Sequence, residues 1–104
     1  MKLLMFVLTI FSFNLFAQDI ENGKKLYAKC TSCHGNDGMG KKSQKAPMLA
    51  GQHDWYLEAQ INAIKNKKRV SGSASKMYPF VKALTEIEIK DLSAYIATLP
   101  VTLD

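Results

Sequence analysis

Two cysteines and a histidine stand together as Cys30-Thr31-Ser32-Cys33-His34. Two thiols separated by two residues, with an imidazole directly after the second, is the attachment pattern of c-type haem. Each thiol adds across one of two vinyl groups on neighbouring pyrrole rings, and the two intervening residues bridge that separation. The next residue, His34, then falls beneath the iron as a proximal imidazole. Other chemistry for this pair lacks support elsewhere in the chain. A thioredoxin-like redox pair needs a strand–helix–strand setting, and no alternating apolar run long enough for a strand occurs. A zinc site needs further ligands, and the other histidine is His53. One covalently attached haem c is therefore the expected cofactor.

The iron's sixth position has several candidates: Met39, Met48, Met77 and His53. The distal ligand must reach the face opposite His34, so the chain has to pass around the macrocycle. Met39 follows His34 too closely for that path. Met48 reads as a core-filling thioether, and His53 as a surface histidine at a helix start. Met77 lies far along the chain, in a loop with Pro79, and is the preferred ligand.

The elements that must position these residues read as helices. Asp19 can cap a helix running through Ile20, Leu26 and Tyr27 to the first cysteine. Gly23 within it costs about 1 kcal/mol relative to alanine, which suggests close approach by another helix. The glycines of 35–40 mark a loop, residues 41–45 continue it, and 46–51 read as extended and partly buried. Asp54 opens a helix with Leu57, Ile61 and Ile64 on one face. It fades into the basic run 65–69. Ser71 to Ser75 have flexible-loop composition, Pro79 opposes a regular helix, and 81–84 allow a short helical turn. Thr85 with Glu88 forms a capping box, and Leu84 with Ile89 a hydrophobic staple. Ile89, Leu92, Ile96 and Leu99 supply the buried stripe, with Pro100 after the end. The expected class is all-α, with three to four helices and long loops wrapped around one haem.

Lys2 precedes an apolar run from Leu3 to Phe16, then Ala17 and the polar Gln18-Asp19. Residues 1–17 therefore read as a cleaved signal peptide, shorter than the roughly 20 apolar residues of a membrane span. Leu15 stands where a small residue usually precedes cleavage, so an uncleaved membrane anchor is the alternative. Residues 18–104 form one small domain, a size at which a cofactor serves as a staple. The formal charge of the 104-residue chain is +5. Nucleic acid is not the expected partner of an exported protein. The spread lysines mostly solubilise the surface, while those near the haem motif could steer an acidic redox partner.

From Asp19 to Leu99 the chain resembles a class I cytochrome c of the small bacterial, periplasmic monohaem type. The matching pieces are Gly23 and Tyr27 before the motif, Gly35 after it, 46–52, Tyr56-Leu57 with Gln60, Arg69, Met77, and 84–96. The resemblance implies thioethers at Cys30 and Cys33, His34 as proximal ligand and Met77 as distal ligand. It also implies that the Pro47 carbonyl accepts a hydrogen bond from His34 and that Arg69 lies towards a propionate. Gly23 and Tyr27 would sit near Tyr95, where the first and last helices cross. In place of the glycine often found just before Arg69, this chain has Lys68. The implied function is one-electron transfer between redox proteins, membrane complexes included as donor or acceptor. The carrier would be a monomer with no enzymatic role. An electron-transfer subunit of a larger oxidoreductase complex is the alternative. A gas-binding module, or a peroxidase, would require Met77 to leave the iron.

Overall fold

The computed structural model describes residues 18–103, together with the isolated positions Met5 and Val7. Apart from those two positions, the expected signal segment 1–17 lies outside the described residues. The described chain holds five α-helical segments: α1 (Ile20–Tyr27), α2 (Thr31–His34), α3 (Asp54–Lys65), α4 (Tyr78–Val81) and α5 (Glu86–Ala97). Three of these are the long helices the sequence predicts, while α2 and α4 are single turns. Short 3-10 turns cover Lys42–Gln44 and Gly72–Met77. The only β pairing among the described residues is an isolated bridge between Lys41 and Ala46. The all-α class is confirmed.

The Asp19 side chain accepts from the Asn22 N–H at 3.0 Å and starts α1. At α5, Thr85 Oγ1 accepts from the Glu88 N–H at 3.2 Å, and Glu88 returns a carboxylate to the Thr85 N–H at 3.0 Å. Both arrangements satisfy donors that a helix start otherwise leaves without partners.

Helices α1 and α5 cross at Gly23. A Cβ there would lie 2.1 Å from the Asp91 carbonyl oxygen and 2.7 Å from the Tyr95 Cβ. Hence only glycine permits this approach. The crossing carries a polar clamp as well. Asp91 is buried, and its carboxylate accepts from the Asp19 N–H at 2.8 Å and the Asn22 side-chain amide at 3.0 Å. Beside it, the rings of Tyr27 and Tyr95 lie 5.5 Å apart at 52°. Helix α3 packs against α5 through its apolar stripe, so Leu57, Ile61 and Ile64 join Ile89, Leu92 and Ile96 in the core. Burying each such side chain is worth about 1.5–3 kcal/mol.

Two local expectations need correction. Residues 71–75 are not an irregular loop but enter the 3-10 turn Gly72–Met77. Bonds to the third residue back suit these small side chains and require no apolar period. The short helix expected at 81–84 instead occupies Tyr78–Val81, with Pro79 inside it. Proline is tolerated in a first turn because its missing N–H has no helical acceptor there.

Candidate functional site

Helix α2 is one turn long and ends where Gly35 adopts φ +84°. The turn is closed by hydrogen bonds from the His34 N–H to the Cys30 carbonyl, 2.9 Å, and from the Gly35 N–H to the Thr31 carbonyl, 2.8 Å. It is joined to α1 by the Cys30 N–H on the Tyr27 carbonyl at 2.8 Å. A helical turn of this kind places Cys30, Cys33 and His34 on one wall of a cavity of about 630 Å³. Pro47, Arg69 and Met77 line the same cavity. Cys30, Cys33, His34, Pro47, Arg69 and Met77 therefore converge, although they span nearly half the chain.

The apolar part of the wall comes from α3 and α5: Leu57, Ile61, Ile64, Leu92 and Ile96. The stripes that read as core from the sequence thus also face the site. Cavities of several hundred Å³ with apolar walls and a few convergent polar groups are suited to a large organic ligand. Two thiols, an imidazole and a thioether on one apolar cavity fit a haem.

His34 is 5 % exposed, and its Nδ1 lies 2.9 Å from the Pro47 carbonyl oxygen. A carbonyl only accepts, so this contact requires the proton on Nδ1, and in the neutral ring the lone pair is then on Nε2. Cys30 is partly enclosed. Burial, and secondarily the neighbouring Cys33, push its thiol up to about 11, with Lys29 acting in the opposite direction. Before haem attachment it is accordingly a neutral thiol at physiological pH. Met77 is half-buried at the end of its 3-10 turn, just before α4. The Arg69 guanidinium donates to Gln60 Oε1 at 3.0 Å, and both side chains border the cavity. Exposed Lys29, Lys45 and Lys76 also border it.

Among the other sulfur and imidazole groups, His53 is exposed at the N-cap of α3, and its ring stacks 5.5 Å from that of Trp55. Met48 departs from expectation. It does not fill the core but is 49 % exposed while lining the cavity. Sequence reasoning also missed Tyr27 as a support of the motif: its buried hydroxyl donates to the Gly35 carbonyl at 2.5 Å. No residue pattern announces that bond, because the two groups meet only once α1 and the loop after α2 are folded together.

The cytochrome c family profile matches residues 20–100 of the chain. Cytochrome c-554(548) of Halomonas halodenitrificans is 37 % identical over 79 residues, covering 76 % of this chain and 94 % of that protein. A thiosulfate dehydrogenase electron acceptor of Stutzerimonas stutzeri is 34 % identical over 68 % of this chain, but only 32 % of that protein is covered. The crystal structure of reduced recombinant cytochrome c4 from Pseudomonas stutzeri superposes with a TM-score of 0.70 at 27 % identity, over 77 % of this chain and 47 % of that one. The chain thus spans nearly the whole of the first relative, a third of the second and about half of the third. The chain belongs to the cytochrome c family and is a haem c electron carrier, with one haem held covalently through Cys30 and Cys33.

Proposed function

We propose that this protein is a monomeric, periplasmic one-electron carrier in which His34 and Met77 hold the two axial positions of the haem iron. The observation that carries this reading is the convergence of Cys30, Cys33, His34 and Met77 on one largely apolar cavity. Haem supplies a one-electron ferric–ferrous couple, and methionine ligation opposite histidine favours the reduced state. With both positions filled by side chains, the chain leaves no place for peroxide or oxygen, so it does not act as an enzyme.

Each side chain has a distinct task. Cys30 and Cys33 make the attachment permanent. His34 would present Nε2 to the iron, while its Nδ1–H on the Pro47 carbonyl orients the ring and would increase its basicity. Met77 contributes a neutral thioether. Arg69, beside Gln60 at the cavity border, would counter the negative charge of a propionate. The walls from α3 and α5 exclude water, which limits the reorganisation that accompanies each change of charge.

The basic, apolar start of the chain supports export, with 1–17 as signal and 18–104 as the carrier domain; a retained anchor would tether the same domain to the membrane. The exposed Lys29, Lys45 and Lys76 would meet an acidic face on the redox partner and raise encounter rates. Reduction by an acidic partner should then slow as salt rises, and a rate indifferent to salt would remove the steering role.

A second reading, a carrier domain dedicated to one oxidoreductase complex, is favoured by the likeness to the thiosulfate dehydrogenase electron acceptor. Co-purification of a stable partner at native levels separates the two. The ligand assignment is tested by Met77→Ala in protein matured with haem. Loss of the methionine–iron charge-transfer band supports Met77, and an unchanged band transfers the role to Met48, which lines the same cavity.

A further inference from the structure

We infer that Tyr27 is a positioning residue for the proximal histidine, its hydroxyl anchoring a closed ring of hydrogen bonds that includes the imidazole. The inference rests on His34 as iron ligand and concerns what holds that imidazole in place.

Tyr27 is 2 % exposed and lies at the crossing of α1 with α5. Its hydroxyl donates to the carbonyl of Gly35, the residue after His34, at 2.5 Å. The same carbonyl accepts from the Gly38 N–H at 3.2 Å. The Gly38 carbonyl in turn accepts from the Leu49 N–H at 2.7 Å and the Ala50 N–H at 3.0 Å. Leu49 is two residues beyond Pro47, whose carbonyl oxygen lies 2.9 Å from His34 Nδ1. Peptide bonds from His34 to Gly35 complete the circuit. The ring therefore runs from His34 through Gly35, Gly38, Leu49 and Pro47 back to the imidazole.

Such a ring fixes its members relative to one another but does not by itself fix them to the scaffold. The Tyr27 hydroxyl is a direct tie between the ring and the α1–α5 crossing. Burial, the largest cause, pushes that hydroxyl up to about 12. It therefore remains a protonated donor across the physiological range. Gly38 admits the arrangement because it has φ +70°, and a Cβ there would come within 2.8 Å of Leu99 Cδ1.

The consequence is electronic as well as mechanical. The Pro47 carbonyl increases the basicity of the imidazole through Nδ1–H, and a more basic imidazole favours the oxidised iron. Releasing Gly35 loosens the ring, weakens that bond and shifts the balance towards the reduced state. A residue that only filled space at the crossing would change stability but leave this balance alone.

The test uses haem-loaded Tyr27→Phe, with Tyr95→Phe as the partner that alters the same aromatic pair without the Gly35 bond. Tyr27→Phe should raise the midpoint potential and make the His34 Nδ1 proton exchange about tenfold faster, the order expected for one lost neutral hydrogen bond. Tyr95→Phe should leave both at wild-type values. A Tyr27→Phe protein that is less stable yet unchanged in potential and proton exchange overturns the inference. Should that variant fail to mature, exchange in the unaltered protein decides. Protection of the Leu49 and Ala50 amides together with His34 Nδ1–H is expected, and exchange as fast as in the exposed 42–44 turn overturns it. Hyperfine-shifted imidazole resonances in the same spectra report ligation separately; their absence would reject the ligand assignment while leaving the Tyr27–Gly35 bond measurable.

Discussion

The two segments that bring His34 and Met77 to the cavity are built differently. On the His34 side, the bonds around the histidine itself are short: Cys30 to Tyr27, His34 to Cys30, and Gly40 to the His34 carbonyl, all between 2.8 and 2.9 Å, with the Gly38 N–H on the Gly35 carbonyl longer at 3.2 Å. The Met77 side has looser ties, such as the Ala74 N–H on the Ser71 carbonyl at 3.3 Å and Ser75 Oγ on the Gly72 carbonyl at 3.4 Å. What seats it is packing, through buried Ala74 and Val81, with Lys67 Nζ 4.8 Å over the Tyr78 ring. Hydrogen bonds fix orientation because they fall off steeply with distance and angle, whereas apolar burial is non-directional. The imidazole is thus held in one orientation, while the thioether is delivered by a segment with more latitude. Under the proposed ligation a carrier would gain from both: a fixed strong ligand, and a weak one whose retention is set by the surrounding core.

That contrast can be broken by substitution. His34→Ala should have the largest effect, abolishing the low-spin optical spectrum and most accumulation of the mature protein. Met77→Ala should keep covalent haem and lower the midpoint potential. Equal damage from both would remove the distinction. Next, Gly23→Val would force α1 from α5, because even a Cβ meets backbone at 2.1 Å. A loss of at least about 3 kcal/mol is expected by denaturant unfolding. A smaller effect should come from Val81→Ala, about 2 kcal/mol. Its signature is specific to the Met77 side: on heating, the methodical order of loss should be the methionine–iron band first and the histidine-dependent spectrum later. Simultaneous loss would mean that both sides unfold as one. The smallest change is Thr85→Ala, which removes the cap of α5 at about 1 kcal/mol and lowers Tm without altering either ligand signature.

The sequence was most informative where chemistry or backbone geometry allows few substitutes. The Cys30–His34 spacing, the Thr85–Glu88 box and the Gly23 crossing belong to this class, and so does the apolar spacing of Leu57, Ile61 and Ile64. The segment 71–77 was less legible, since small polar residues serve a 3-10 turn and a disordered loop equally well. Pro79 misled because its cost depends on whether it falls in a first turn or an interior one. Met48 reads as core from its type, but it lines the cavity outside the buried cluster, a placement that only the tertiary structure sets. The Tyr27–Gly35 bond is set by tertiary placement and leaves no periodic trace. In each of these cases the deciding contact is long-range, or depends on register that local composition does not encode.

Carbon monoxide binding to the reduced, haem-loaded protein reports whether the iron's sixth position is closed. With His34 and Met77 both on the iron, the account predicts that the optical spectrum at neutral pH stays unchanged under carbon monoxide, while Met77→Ala binds it readily. Rapid, saturating binding by the unaltered protein would show an open position and contradict the assignment of a closed electron-transfer site.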